Sequence, residues 1–168
     1  MVKKAVIFLA ICLGINIAFE EVPKIFYVNV TSSLPCGVYL RVPKEEIKKG
    51  DYIVYEPSEE VKKIIIQNGW GNGKYDFLKK VGAVSGETYE IDEETLKFEI
   101  GGKYIGQVYE KDNAGNELPK LRGKFEVPQG YVLPIATSER SFDGRYSGVI
   151  EQSRIKAKVV PFLIWSNT

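Results

Sequence analysis

From residue 24 onward, the chain is a succession of short segments rich in Val, Ile, Tyr and Phe, separated by Gly, Pro, Asn and Asp. This pattern is typical of strands bounded by turns. Many short strands and few helical segments predict a mainly β domain, built on a mostly antiparallel sheet or barrel. The predicted strands span residues 24–30, 37–42, 51–56, 76–84, 87–91, 96–100, 103–109, 130–136 and 154–165.

One segment has the features of a helix. Ser58 can cap its start, Glu59 and Glu60 suit its first turn, and the run EEVKKIIIQN ends before Gly69. The glycine-rich stretch that follows, residues 68–76, has the composition of a loop. We therefore expect one short helix in an otherwise β domain.

Residues 1–22 have the pattern of a membrane anchor. Lys3 and Lys4 precede an uncharged apolar run, residues 5–19, which Glu20 and Glu21 follow. A span needs ~20 residues, so we expect residues 2–19 to lie in the lipid bilayer with the lysines reaching its surface. Lysines before the run favour an N-terminus on the inside. This predicts a single-pass protein of the cytoplasmic (inner) membrane, with residues 23–168 as one extracytoplasmic, periplasmic domain.

Two other interpretations of this apolar run remain open. A cleaved signal peptide would have the same charged and apolar regions, although no A-x-A-like cleavage site lies near Ala18. A buried N-terminal core helix would also be apolar throughout.

The chain has 168 residues and no histidine. This excludes Ser-His-Asp and Cys-His catalytic groups and all His-ligated metal sites, and leaves acid–base chemistry to other side chains. Cys12 and Cys36 do not have the spacing of metal ligands, so no metal and no cofactor is predicted. A net charge of +1 gives no strong field to attract nucleic acid, and no nucleic-acid partner is expected.

Residues 29–39 form a turn that presents hydroxyl groups. The stretch NVTSSLPCGVY places Ser32 and Ser33 after a predicted strand and before Pro35. A proline-restricted turn holds a serine in a defined position for attack, although most serine-rich turns are only turns. Without histidine, the strongest candidate for its base is a lysine whose pKa is lowered sharply from ~10.4 by burial or a nearby cation.

The predicted strand FLKKVGAV offers two lysines among apolar neighbours. Lys79 shares a face with Phe77 and Val81, and Lys80 shares the other face with Leu78. Period-two alternation therefore does not choose between the two lysines. Alternatively, both belong to an edge strand, where lysine is common.

A third polar segment is SFDGRYSG, residues 141–148. If this segment is extended, Asp143 and Arg145 point to the same side and can pair to brace a site. On its own, the pattern D-x-R is more often an ordinary surface ion pair.

Together these segments resemble the type I signal peptidase superfamily, and in particular its conjugative-transfer (TraF-type) branch. The resemblance rests on four motifs in the right order: N-x-T-x-S-x-P-x-G-x-Y, G-D before an apolar strand, K-x-V-x-A-x-x-G-D, and S-F-D-S-R-Y-x-G. In this chain they begin at Asn29, Gly50, Lys79 and Ser141. Two positions depart from the motifs: Glu87 replaces an Asp and Gly144 replaces a Ser.

The resemblance implies a signal-peptidase-like (LexA-like) coiled antiparallel β-sheet domain with serine endopeptidase activity. Its motif spacing implies Ser33 rather than Ser32 as the nucleophile, and Lys79 rather than Lys80 as the general base. It also implies an oxyanion hole made by the Ser33 N–H and the Thr31 hydroxyl. Supporting roles fall to Ser141, Asp143, Arg145, Asn29 and Pro35.

The resemblance also implies a substrate. For the superfamily this is a peptide segment of a secreted or membrane precursor, and for this branch it is a pilin of a conjugative, type IV secretion system. Some members join the ends of the pilin to make a cyclic product. Two alternatives stay open: a general type I signal peptidase with the same Ser-Lys pair, and a non-catalytic anchored β-domain that serves in assembly.

Overall fold

The computed structural model describes residues 24–166, which form eleven strands and two α-helices. A short 3-10 helix, Gln152–Arg154, precedes the last strand. The helices are α1 (Glu59–Gln67) and α2 (Gly144–Ser147). The strands are β1 (Phe26–Asn29), β2 (Cys36–Val42), β3 (Tyr52–Tyr55), β4 (Phe77–Val84), β5 (Thr88–Ile91), β6 (Lys97–Ile100), β7 (Lys103–Gln107), β8 (Gly123–Glu126), β9 (Tyr131–Ile135), β10 (Ile150–Glu151) and β11 (Ile155–Ser166).

The strands form two antiparallel sheets. The first has the order β1-β2-β11-β3-β4-β9-β10, and the second has the order β7-β6-β5-β8. Register shifts interrupt the pairing of β11 with β2 and β3 and that of β4 with β9, and such bulges bend and twist a strand. The prediction of a mainly β, curled antiparallel domain is confirmed.

A turn between β4 and β5 connects the two sheets. Gly86 has a φ of +84°, a conformation that glycine adopts without strain. The Glu87 carboxylate accepts a hydrogen bond from the Val84 N–H at 2.9 Å and one from the Lys49 ammonium at 2.6 Å. Glu87 thus provides a turn-capping carboxylate at the position where the related motif has Asp.

The largest apolar core lies between the second sheet and one end of the first. Its fully buried members include Ile91, Phe98 and Leu133, with Tyr146 of α2 packed against them. Burial of each such side chain stabilises the fold by roughly 1.5–3 kcal/mol. This core fixes α2, and therefore the polar segment that contains it, against β9.

Most of the predicted elements are confirmed. All nine predicted strands are present, and Ser58 caps α1 through a 3.3 Å hydrogen bond from the Val61 N–H. The expectation of a single helix was wrong. A second helix, α2, is present as a single turn whose start is capped by Asp143. The sequence reading also missed β8 and β10, which have four and two residues and are too short for a clear alternating pattern.

The first and last strands expose apolar side chains. Phe26 of β1 and Phe162 of β11 are more than half exposed, and their ring centroids lie 6.0 Å apart. Val28, Leu163 and Trp165 are exposed to a similar extent.

The predicted membrane anchor, residues 1–22, lies outside the described residues. Within residues 24–166, no helix is long and apolar enough to span a bilayer.

Candidate active site

Ser33 lies in the tight turn between β1 and β2, and Asn29 holds that turn together. The buried Asn29 amide donates to the carbonyls of Thr31, Leu34 and Pro35 at 3.0, 2.9 and 3.2 Å. Its side-chain oxygen accepts from the Thr31 N–H at 3.2 Å and from the Thr31 hydroxyl at 2.8 Å. The Asn29 side chain therefore links the start of the turn, at Thr31, to its end, at Leu34 and Pro35, and fixes its shape.

Contacts from outside the turn brace it further. The Tyr39 hydroxyl donates to the Pro35 carbonyl at 2.8 Å. The Ser33 carbonyl accepts from the Thr137 N–H at 2.9 Å and from the Thr137 hydroxyl at 3.2 Å. Sequence reasoning missed Thr137, and its place just before the SFDGRY segment was the signal that could have identified it. The backbone of Ser33 is thus held on both sides.

Lys79 and Lys80 have different environments. Strand β4 lies between β3 and β9, so the interpretation of both lysines as edge-strand residues was wrong. The Lys79 side chain is buried, with 5% of its surface exposed, and its ammonium lies 5.6 Å from the centroid of the Phe77 ring. Lys80 is only half-buried, and its ammonium lies over the Tyr52 ring.

Burial lowers the pKa of Lys79 from 10.5 to about 8. Two nearby charges act in opposite directions: the Asp143 carboxylate raises this pKa, and the Arg145 guanidinium lowers it. Removal from water disfavours the charged ammonium and is the largest effect. The neutral amine of Lys79 is therefore much more populated near pH 8 than that of an exposed lysine.

The hydroxyl of Ser141 connects Lys79 to Ser33. Nζ of Lys79 donates to Oγ of Ser141 at 2.7 Å, and Oγ of Ser141 donates to Oγ of Ser33 at 3.0 Å. A hydroxyl can rotate to exchange donor and acceptor roles. The three side chains therefore form a continuous path along which a proton can move.

Asp143 and Arg145 form a buried ion pair with two hydrogen bonds. Nε of Arg145 lies 2.9 Å from one carboxylate oxygen, and Nη2 lies 3.0 Å from the other. Both side chains are at most 3% exposed, so the pair is not a surface feature. The segment is not extended as predicted, because Asp143 caps α2 and Arg145 lies within that helix. The predicted pair is present, but the two side chains meet at a helix start and not on one face of a strand.

Arg145 also holds the loop that carries Ser141. Its Nη1 and Nη2 groups donate to the carbonyls of Ser138, Glu139 and Ser141 at 2.9, 2.5 and 3.4 Å. The Asp143 carboxylate additionally accepts from the Ala136 N–H at 2.8 Å. The ion pair thus fixes the backbone on both sides of the Ser141 hydroxyl.

Gly144 is required by the packing of α2 on β9. A Cβ atom at this position would lie 2.6 Å from Cδ1 of Leu133 and 2.6 Å from the Pro134 carbonyl oxygen. A serine, which the related motif carries here, does not fit without a shift of the backbone. The departure at Gly144 is therefore consistent with the local packing of this chain.

The serine turn opens into a cleft of about 470 Å³. Ser33 and Ser141 line this cleft together with the rings of Trp70, Phe142 and Tyr146. Within residues 24–166, no group of three or more Cys, Asp or Glu side chains is arranged to hold a metal ion.

The site brings together a serine hydroxyl, a lysine amine of lowered pKa and an adjoining cleft on a curled β domain. A family model described as signal peptidase, peptidase S26, matches residues 1–165. The chain therefore belongs to this family of serine peptidases.

Curated relatives are similar along most of their length. The chain is 28% identical over 147 residues to a plasmid transfer protein TraF of Escherichia coli, with 82% of each chain covered. A second Escherichia coli plasmid transfer protein TraF is 27% identical over 149 residues, again with 82% coverage. A crystal structure of a signal peptidase I from Enterococcus faecalis V583 superposes with a TM-score of 0.42 at 18% identity, covering 69% of this chain and 98% of that one.

Proposed function

We propose that this chain is a membrane-anchored serine endopeptidase in which Ser33 is the nucleophile and Lys79 is the general base. The observation that carries the proposal is the Ser141 hydroxyl, which is hydrogen-bonded to both groups. A serine needs an activating base, and a desolvated lysine of lowered pKa can serve when histidine is absent.

The proposed reaction begins with attack of Oγ of Ser33 on the scissile carbonyl of an extended peptide. The Ser33 proton passes to Ser141 as the Ser141 proton passes to the neutral amine of Lys79. The Lys79 ammonium then returns a proton along the same path to the departing amine, which leaves an acyl-enzyme on Ser33. Water or a second amine resolves this ester, and these outcomes give hydrolysis or ligation respectively.

The Ser33 N–H and the Thr31 hydroxyl form the proposed oxyanion hole. The Thr31 hydroxyl donates to the Asn29 side chain at 2.8 Å, so it must rotate toward the substrate oxygen to serve this role. Loss of one oxyanion donor typically lowers the rate about 10²- to 10³-fold. Replacement of Thr31 by Val, which keeps the shape without the hydroxyl, tests this assignment through kcat.

The proposed substrate is an exported precursor, and specifically the pilin of a conjugative system. Similarity to two plasmid transfer proteins along 82% of the chain supports a role in conjugative transfer. A general type I signal peptidase would use the same reacting groups, so the range of precursors cleaved separates the two functions.

The proposed location is the inner membrane, with residues 2–19 in the bilayer and the peptidase domain outside the cytoplasm. The apolar run ends at Phe19, a few residues before β1, and β1 and β11 expose Phe26, Phe162 and neighbouring apolar side chains. This arrangement would place an apolar face of the domain near the lipid surface. Deletion of residues 2–19 is expected to move the protein from the membrane to the soluble fraction.

The direct test is co-expression with a pilin precursor from the same genetic neighbourhood, followed by intact mass spectrometry of the product. The expected product is shortened, and loss of one further water molecule would indicate cyclisation. Ser33→Ala and Lys79→Ala are expected to leave the precursor intact.

The chain provides matched controls at the adjacent positions. Ser32→Ala and Lys80→Ala remove the same side chains one residue away and are expected to keep processing. An intact precursor with the unaltered chain, for the pilin and for a general secretory precursor alike, would contradict the proposed peptidase function.

A further inference from the structure

The cleft beside Ser33 has an aromatic floor. The Trp70 and Phe142 rings lie edge to face with centroids 5.2 Å apart, and Phe142 stacks on Tyr146 at 5.5 Å. Trp70 follows α1 whereas Phe142 and Tyr146 belong to the segment around α2, so two distant parts of the chain build one apolar surface. The cleft that this surface lines together with Ser33 and Ser141 is called the aromatic cleft below.

One wall of the aromatic cleft is the turn at residues 112–116. The Asp112 carboxylate accepts from the Trp70 indole N–H at 2.9 Å and from the N–H groups of Ala114 and Asn116 at 2.9 and 2.8 Å. The Asn116 side-chain amide also donates to Asp112 at 2.8 Å. These hydrogen bonds hold the turn against Trp70, and they leave Asp112 with little capacity to bind a cationic ligand.

The rim of the aromatic cleft carries a cation that has local partners. The Arg140 guanidinium lies 4.1 Å from the centroid of the Tyr109 ring, and its Nη1 donates to the Asn113 side chain at 2.8 Å. Arg140 therefore links two segments of the lining. A second cation of the lining, Lys111, lies 3.3 Å from the Glu117 carboxylate. The apolar surface of the cleft comes from Trp70, Phe142 and Tyr146.

We propose that the aromatic cleft is a substrate subsite that binds one bulky apolar or aromatic side chain of the peptide. The inference rests on the proposed peptidase function and defines its substrate more closely. Small-molecule pockets have volumes of about 300–1,000 Å³, and the volume of this cleft, about 470 Å³, lies in that range. A bulky side chain therefore has room to enter it, whereas a methyl side chain would leave it largely empty. Ser33, the proposed nucleophile, lines the same cleft as the aromatic rings. An extended peptide rises about 3.3 Å per residue, so the bound side chain belongs to a position within a few residues of the scissile bond.

The test uses binding, so that it does not depend on catalysis. The full chain carrying Ser33→Ala is immobilised and incubated with synthetic peptides whose central positions are randomised, and the bound fraction is identified by mass spectrometry. At one position, the bulky apolar residues Phe, Trp, Tyr, Leu and Met are expected to be enriched over Ala. For Phe, Trp and Tyr the expected enrichment is about twofold to tenfold, since a pair of aromatic rings favours binding by that factor.

A second variant fills the cleft. Ala114 is an exposed residue of the wall, so Ala114→Phe places a ring at the cleft without disturbing the core. In the Ser33→Ala background this variant is expected to abolish the enrichment of bulky side chains. Ser153→Phe adds the same ring at an exposed site on the 3-10 helix, outside the cleft, and is expected to retain it.

Two outcomes would overturn the subsite. One is a bound fraction with no preference for bulky apolar residues at any position, and the other is a preference that survives Ala114→Phe. Failure of the peptidase function has a different signature. In that case the chain with Ser33 intact cleaves none of the peptides that are bound, while the enrichment and its loss in Ala114→Phe persist.

Discussion

Nζ of Lys79 donates a 2.7 Å hydrogen bond to Oγ of Ser141, although the two residues are 62 positions apart in the chain. Lys79 lies on β4, and Ser141 lies in the loop that follows β9. Because β4 and β9 are antiparallel neighbours, this loop returns past the buried face of Lys79. The antiparallel pairing of β4 with β9 therefore places the Ser141 hydroxyl beside Lys79.

The first prediction concerns Ser141. Ser141→Ala removes the hydroxyl that contacts both Ser33 and Lys79, and we expect kcat to fall by about 10²- to 10⁴-fold, with KM little changed. Ser141→Thr keeps a hydroxyl and is expected to recover part of the rate. The measurement is steady-state cleavage of a precursor peptide by the purified variants.

Ser85→Ala is the matched control for Ser141→Ala. Ser85 also donates a hydrogen bond from its hydroxyl, to the Pro128 carbonyl at 3.0 Å, but it lies in the turn between the sheets. Its loss is expected to leave kcat unchanged. Equal losses of rate in the two variants would count against a role for Ser141 in proton movement.

The second prediction is the pH dependence of cleavage. Lys79 must be neutral to accept a proton, and its pKa is about 8 because burial disfavours the ammonium. We expect kcat/KM to rise about tenfold per pH unit below this value and to level off above it. A midpoint near 10.5, the value of an exposed lysine, would contradict the assignment of a buried lysine as the base.

The third prediction is that Lys79 lowers the stability of the fold. A folded-state pKa of about 8 against 10.5 for the exposed group costs the folded state about 3 kcal/mol at pH 7. Lys79→Met keeps the length of the side chain without its charge, so we expect this variant to unfold at higher urea concentration than the unaltered chain.

The pH dependence of the stability gained in Lys79→Met is the control for this prediction. Below pH 8 the lysine is charged in both the folded and the unfolded state, so the full penalty is present. Between pH 8 and 10.5 it is neutral only when folded, and the penalty disappears as pH rises through this range. A stability difference that stays constant from pH 7 to 10.5 would have to come from packing instead.

The fourth prediction concerns the buried ion pair. Asp143→Asn leaves the Arg145 guanidinium without its counter-charge, and breaking such a pair typically costs about 3–5 kcal/mol. The same change removes the charge that raises the pKa of Lys79, so we also expect the midpoint of the pH profile to move below 8. Urea unfolding and the pH profile measure the two effects separately.

An exposed ion pair serves as the reference for this variant. Lys48 and Glu46 lie 3.2 Å apart with most of both side chains exposed. Lys48→Ala is expected to change the free energy of unfolding by less than about 1 kcal/mol, because water screens such pairs. Similar costs for the two variants would show that burial does not strengthen the Asp143–Arg145 interaction.

Much of the strand pattern could be predicted because each strand carries its own local signal. Strands β2 and β4 have β-branched and aromatic residues in runs bounded by turn residues, and α1 has a capping serine. By contrast, β10 has two residues, and α2 is a single turn whose cap, Asp143, also forms a buried ion pair. Elements of that size depend on the surrounding fold rather than on a local pattern.

The candidate site was predictable only in part. Ser33 and Lys79 were predicted from the spacing of the motifs. The alternation of side chains along β4 did not distinguish Lys79 from Lys80. The structure separates them, since one is buried near Ser141 and the other lies beside Tyr52. The aromatic cleft was not foreseen, because its parts come from separate segments that carry no shared motif.

The sequence by itself determined the class of fold, the family and the residue types available for catalysis, because strand alternation, turn residues, motif spacing and the lack of histidine are local or compositional properties. Only the tertiary structure shows that Lys79 is removed from water, that the Ser141 hydroxyl lies between Lys79 and Ser33, and which rings line the cleft. Desolvation and contact across β4 and β9 depend on neighbours that are distant in the chain, and no local pattern specifies them.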